Sequence, residues 1–213
     1  TQCVKRMTFP KTSFLVALLS LGSAVTSANC TFNTSQYLSQ LQEPSSIQEI
    51  KVEVPKSAKF VRNFIRILTS RTKNIPPSLK NNFEARIMVN YEFGNCEYSA
   101  SVRQTGDWKD HILLDEGEPL RSLNVKLREG NIINAVKFKL LLPATRNDLN
   151  EVLGSLVARE LGFIAPETFQ VRVDVNGTRS TMLFQEDARK ELLERNLRRE
   201  GPMFEGDESL LWS

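Results

Sequence analysis

The chain of 213 residues carries 28 lysines and arginines against 25 aspartates and glutamates, and it contains one histidine. Lys5, Arg6 and Lys11 lie in the first 28 residues, so the rest of the chain holds 25 basic and 25 acidic residues and is formally neutral. This balance gives no indication of a nucleic-acid-binding surface. The single histidine, His111, disfavours a Ser-His-Asp hydrolase and is interpreted as a surface or hydrogen-bonded residue, and the cysteine spacing disfavours structural zinc.

Residues 1–28 have the composition of a secretory signal peptide. They combine the three basic residues with no acid, an apolar stretch at positions 14–25, and small residues before a cleavage point near Ala28. An uncleaved membrane anchor is the alternative. The sequence predicts an exported protein of the periplasm, the cell envelope or the exterior, which meets the membrane only through this segment. In that setting Cys30 and Cys96 either form a disulfide or stay as free buried thiols.

The next part of the chain predicts an arm, a strand, a helix and a hairpin. Residues 29–56 form an N-terminal arm and a short strand that ends at Pro55. A helix begins at Ser57. Its predicted apolar face consists of Phe60, Val61, Phe64, Ile65 and Leu68. An antiparallel hairpin follows, in which residues 84–93 pair with residues 96–104 across Gly94-Asn95.

The remaining elements alternate strands with one helix. Residues 122–127 and 136–140 have the period of half-buried strands. Residues 146–161 predict a helix that Thr145 caps, that Gly162 stops and that packs on the sheet. Its expected apolar stripe consists of Leu149, Val152, Leu153, Leu156, Val157 and Leu161. Residues 169–175 and 179–185 predict a second antiparallel hairpin, which turns at Asn176-Gly177. The predicted class is α+β, with a mostly antiparallel sheet and a packed helix.

This order of elements is similar to that of one known family. Residues 121–127, 136–142, 146–153, 173–177 and 183–186 resemble the N-terminal half of the spore-coat CotH kinase-like family. The resemblance implies an atypical protein kinase fold that transfers phosphate from ATP, with Mg, to serine or threonine of a protein substrate. Residues 57–213 would then be the N-terminal lobe, and the chain is expected to continue into a later lobe that carries the metal-binding acids.

The candidate nucleotide site consists of strand lysines and nearby carboxylates. A phosphate clamp requires a fixed cation and its counter-ion, and Lys126 and Lys137 are the lysines that the resemblance favours. Glu151 and Glu160 on the predicted helix are their candidate partners, and Glu186 corresponds to the hinge beside the adenine. The turn at residues 104–108 is expected to bound the same cleft. The competing interpretation is that the lysines form a solvated strand face.

The sequence is therefore compatible with two functions. The first is that of an exported CotH-like kinase, of which this chain would be a fragment that cannot complete the reaction alone. No catalytic residue is assigned in it. The alternative is a noncatalytic extracytoplasmic domain with a binding or structural role, which would bind a protein or a component of the cell envelope or coat.

Overall fold

The computed structural model describes residues 29–204, so the predicted signal peptide lies outside the described residues. This part of the chain contains ten strands and three α-helices. The strands are β1 Asn29–Cys30, β2 Ile47–Glu53, β3 Asn82–Tyr91, β4 Gly94–Gln104, β5 Ile112–Asp115, β6 Glu118–Arg121, β7 Leu123–Leu127, β8 Lys137–Leu141, β9 Thr168–Val175 and β10 Thr178–Glu186. The helices are α1 Ser57–Leu68, α2 Asn150–Glu160 and α3 Lys190–Arg195. None of these helices has the length and apolar composition needed to span a membrane.

Seven of the strands close into a barrel. Their order is β4, β3, β2, β9, β10, β8 and β7, and β7 pairs again with β4. The β2–β9 pair is parallel, whereas the other six pairs around the barrel are antiparallel. Strand β1 pairs with the start of β4, while β5 and β6 form a separate hairpin. Closure leaves no open edge in the ring of seven strands.

Both predicted hairpins are confirmed. Strands β3 and β4 pair antiparallel, with Ala85 opposite Ala100, and β9 and β10 pair antiparallel around Asn176-Gly177. Asn176 and Gly177 have φ values of 52° and 97°, the left-handed backbone that a two-residue hairpin turn requires. The strands predicted at residues 122–127 and 136–140 also pair with each other, as β7 and β8.

The barrel interior is filled by the alternating apolar residues of its strands. Ile87, Val102, Val125, Phe138 and Phe184 point inward and are fully buried. Phe138 and Phe184 stack with ring centroids 4.5 Å apart. Burial of each such side chain contributes about 1.5–3 kcal/mol relative to its exposure in water. The residues that alternate with them along each strand face outward and form the outer surface of the barrel.

The predicted α+β kinase lobe with a packed helix is wrong. The fold is mostly β with a closed barrel, and α2 is a short helix in which Ser155 is the buried residue. Leu153 and Leu161, two members of the expected apolar stripe, are 60% and 68% exposed. The physical reason is that a sheet closed on itself turns its apolar face inward, so it offers no open apolar face for a helix to cover.

Helix α1 covers the β5–β6 hairpin with a face that differs from the predicted one. It begins at Ser57 as expected, but Val61 and Ile65 are exposed, whereas Ile67 and Asn63 are buried. Phe64 and Ile67 pack with Ile75, Leu79 and Ile112 in a small second core. The Asn63 side chain donates a hydrogen bond to the carbonyl of Leu79, 2.8 Å away, which satisfies its buried amide nitrogen.

Cys30 and Cys96 form a disulfide, which decides between the two states that the sequence left open. The bridge joins β1 to β4 at directly opposed positions. It is compatible with an oxidising, exported location.

Candidate anion-binding groove

A basic groove lies on the outer face of β4, β7 and β8. Its volume is about 610 Å³, which lies within the range of about 300–1,000 Å³ that is typical of small-molecule sites. The residues that line it are Asn82, Ser101, Arg103, Asn124, Lys126, Leu127, Arg128, Lys137 and Arg189. We call this feature the basic groove.

Strand alternation and register bring the cations of the groove together. Ser101 on β4 lies opposite Lys126 on β7, which in turn lies opposite Lys137 on β8. One step further along, Arg103 is opposite Asn124, and Asn124 is opposite Lys139. Outward-facing residues on neighbouring strands are about 4.5–5.5 Å apart at their Cβ atoms, so the two rows form one charged surface.

Asp187 is the counter-ion of the lysines in the groove. Its carboxylate accepts hydrogen bonds from Lys137 Nζ at 2.6 Å and Arg189 Nε at 2.8 Å, and Lys139 Nζ lies 4.0 Å away. Burial alone would raise the pKa of Asp187, but the hydrogen bonds from Lys137 and Arg189 and the charges of Lys137 and Lys139 outweigh it and lower the pKa below its ordinary value. Asp187 is therefore ionised at neutral pH and fixes Lys137.

Two cations of the groove have no such partner. Arg128 forms a salt bridge with Glu84, and Lys137 and Arg189 share Asp187. Arg103 and Lys126, in contrast, form no ion pair with any residue between 29 and 204. The groove thus holds five cations, and its positive charge is only partly compensated.

The structure brings the two predicted lysines together but places the predicted carboxylates elsewhere. Glu151 lies 3.4 Å from Arg146 and accepts a hydrogen bond from Gln185. Glu160 is exposed and has no ion-pair partner within the described part of the chain. Glu186 is only 3% exposed and accepts from Arg195 Nη2 at 2.6 Å and from the backbone N–H of Glu167 at 3.0 Å. Burial raises the pKa of Glu186 despite these partners.

The turn at residues 104–108 contacts a buried histidine. A side chain at Gly106 would collide with the His111 ring, since a Cβ there would lie 1.9 Å from Cδ2. His111 Nδ1 is 2.9 Å from the Ser122 hydroxyl, which also accepts a hydrogen bond from the backbone of Leu142. Ser122 is fully buried, so this pair is a structural link between the turn and β7 and not an accessible nucleophile.

Sequence reasoning missed Asn124, Arg128 and Arg189 in the lining of the groove, and it missed the pairing of Asp187 with Lys137. The alternation of β7 could have placed Asn124 on the same outward face as Lys126. The approach of Asp187 to Lys137 depends on the pairing of β8 with β10, which local sequence does not specify.

Comparison with protein-family models and with curated proteins gives no match for this chain. The similarity to the CotH kinase-like family therefore stays a prediction from the sequence. Residues 29–204 contain no cluster of three or more histidine, cysteine, aspartate or glutamate side chains that could hold a metal ion.

Proposed function

We propose that this protein is a noncatalytic extracytoplasmic binding domain whose basic groove holds an acidic polysaccharide of the cell envelope. The observation that carries the proposal is the presence of Arg103 and Lys126 in the groove without ion-pair partners among residues 29–204. An anionic polymer would supply the missing negative charge.

The arrangement of the lysines supports an anionic ligand. Lys126 and Lys137 lie directly opposite each other on neighbouring antiparallel strands, and like charges at such positions are destabilising. Asp187 offsets this repulsion at Lys137 only. A carboxylate or sulfate bound beside Lys126 would remove the rest of the repulsion, and this gain contributes to binding.

The composition of the groove favours a hydrophilic polymer over a protein partner. Leu127 is the one apolar residue in the lining, and the lining contains no aromatic side chain. Protein interfaces are typically enriched in aromatic residues at their centre, and sites for single-stranded nucleic acid use aromatic stacking. Asn82, Ser101 and Asn124 instead offer neutral hydrogen-bonding groups suited to sugar hydroxyls.

The kinase hypothesis has less support from the arrangement of these residues. It required a helix carboxylate to hold the strand lysine, and neither Glu151 nor Glu160 pairs with a lysine in the described residues. Phosphoryl transfer stays a prediction of the CotH resemblance. Export is common to both hypotheses, and the Cys30–Cys96 disulfide is compatible with it.

Binding to immobilised polygalacturonate, a polymer of uronic acid, tests the proposal. The wild-type protein should bind with an affinity that falls as salt is raised, because the attraction is between exposed charges. The double variant Arg103→Gln/Lys126→Gln should bind about 3- to 10-fold more weakly, since each exposed ion pair contributes about 0.2–1 kcal/mol.

The matched control is Lys51→Gln/Arg86→Gln, which removes the same charge from the outer face of β2 and β3 outside the groove. This control should bind as the wild type does. Equal losses in the two double variants, or no binding by the wild type at low salt, would show that the groove is not the site. Tight binding of Mg-ATP that requires Lys126 or Lys137 would favour the kinase hypothesis instead.

A further inference from the structure

A second cationic site lies under helix α1 and shares no residue with the basic groove. Arg121 at the end of β6 is only 4% exposed, although it carries a full positive charge at neutral pH. Its guanidinium lies over the rings of Phe60 and Phe64, at 4.1 and 4.9 Å from their centroids. Nη2 donates a hydrogen bond to the carbonyl of Phe60 at 3.2 Å. The arginine is thus held rigidly by α1.

The charge of Arg121 is not compensated by an acid. It forms no ion pair with any of the residues that the structure describes, and its Nη1 is buried without a hydrogen-bond acceptor there. Burial lowers the pKa of Arg121 to about 9 with no opposing carboxylate. A buried cation is costly unless it is paired, and an unpaired donor adds to that cost.

Arg121 lines a cavity of about 350 Å³, a volume at the lower end of the range of about 300–1,000 Å³ for small-molecule sites. The other residues around it are Ser57, Phe60, Val61, Phe64, Glu118, Pro119, Val175, Asn176 and Thr178. Half of the lining residues are therefore apolar, and the others include one cation, Arg121, and one carboxylate, Glu118. Val61 on α1 lines this cavity and is also exposed to solvent.

We propose that this cavity binds a small monocarboxylic acid with an apolar body, and that its carboxylate pairs with Arg121. The planar guanidinium matches a carboxylate, and the apolar body of the ligand would cover Val61, Pro119 and Val175. This site is separate from the basic groove, and its occupancy does not depend on the polysaccharide.

The single cation of the lining favours a single carboxylate over a phosphate or a dicarboxylate. Arg121 is the one cation among the residues around the cavity, and Glu118, on the same strand, adds a negative charge. The Glu118 carboxylate accepts a hydrogen bond from the Thr178 hydroxyl at 2.9 Å, which fixes its position. A monoanion that pairs with Arg121 adds one negative charge to a lining in which Arg121 and Glu118 otherwise balance, whereas a dianion would add two.

Calorimetric titration with octanoate tests the inference, and 1-octanol, octylamine and octyl phosphate serve as probes with the same chain and a different head group. Octanoate should bind the wild-type protein with a Kd below about 1 mM, and the other three probes should bind at least about tenfold more weakly. Arg121→Met should lower the affinity for octanoate by about tenfold or more, because it removes the charge-assisted hydrogen bonds but keeps an apolar side chain on Phe60 and Phe64.

A second variant tests the site independently, in case Arg121→Met does not fold. Val61→Glu changes an exposed position and adds a negative charge to the lining of the cavity, so it should also weaken octanoate binding about tenfold. Arg86→Met, on the outside of β3, is the control that should leave binding unchanged. Octanol that binds as tightly as octanoate, no binding of octanoate below about 1 mM, or an unaltered affinity in Val61→Glu would each overturn the inference.

Discussion

At the scale of single residues, burial fixes the charge state of the histidine. His111 is the one histidine of the chain and is 5% exposed. Burial lowers its pKa from the ordinary value, with Arg146 and Lys80 acting in the same direction and Asp110 and Asp107 opposing. The neutral ring can accept a hydrogen bond from the Ser122 hydroxyl at Nδ1. Protonation in the folded state is therefore unfavourable.

We expect His111 to make the protein less stable in mild acid. Its pKa is lower in the folded state than in the unfolded chain, so the unfolded chain takes up the proton first. The stability that neutral His111 contributes is present above a pH of about 6.5 and is lost as the pH falls toward the folded-state pKa. Urea unfolding of the wild type and of His111→Asn from neutral pH to mild acid measures this contribution.

The wild type has to be compared with His111→Asn because Glu186 changes the stability with pH in the opposite direction from His111. Burial raises the pKa of Glu186 in the folded state, so its contribution grows more favourable as the pH falls. The difference between wild type and His111→Asn removes this shared term. Parallel pH profiles for the two proteins would show that His111 does not titrate differently on folding.

At the scale of elements, α2 shows how a correct helical pattern led to a wrong packing prediction. Asn147 and Asp148 have φ values of 48° and 59°, so the chain is left-handed there and the helix begins only at Asn150. The Thr145 hydroxyl donates to the carbonyl of Leu142 in the preceding turn and does not cap α2. The leucines retain helical spacing, but the closed barrel has no apolar outer face to receive them.

We expect substitutions in the stripe of α2 to have little effect on stability. Leu153→Gln and Leu156→Gln replace exposed leucines by another good helix former, so each should change the free energy of unfolding by less than about 0.5 kcal/mol. Phe184→Ala, inside the barrel, should cost about 3–5 kcal/mol. Urea denaturation compares the three variants, and a loss of several kcal/mol in either leucine variant would mean that α2 is packed as the sequence suggested.

At the scale of the whole molecule, the unpredicted feature is barrel closure. Each hairpin is encoded locally, by alternation and by a turn such as Asn176-Gly177. The parallel β2–β9 pair joins segments more than a hundred residues apart, and the same turn secures it: Asn176 Oδ1 accepts from the Val54 N–H at 2.7 Å, and its own N–H donates to Val52. Alternating strands fit an open sheet and a closed barrel equally well, so the strand pattern could not distinguish them.

The same limit applies to the basic groove. Lys126 and Lys137 could be identified as strand cations, because local alternation places both on the outward face of their strands. Their partner Asp187 follows β10, and its position beside Lys137 results from the pairing of β8 with β10 across some 50 residues, the separation of the Lys137–Asp187 bond. The neutral charge of residues 29–213 likewise conceals a local excess of cations, because net charge carries no information on how charges are distributed.

The disulfide should stabilise the whole barrel. It closes a loop in which Cys30 and Cys96 are 66 residues apart, and it secures the arm before β2 to the start of β4. Cross-linking reduces the entropy of the unfolded chain, so reduction of the bridge should lower the free energy of unfolding by about 2–4 kcal/mol. Denaturation with and without reductant measures the loss, and Cys30→Ser/Cys96→Ser should reproduce it while showing no further response to reductant. An unfolding free energy that is the same in all of these states would mean that the bridge does not restrict the unfolded chain.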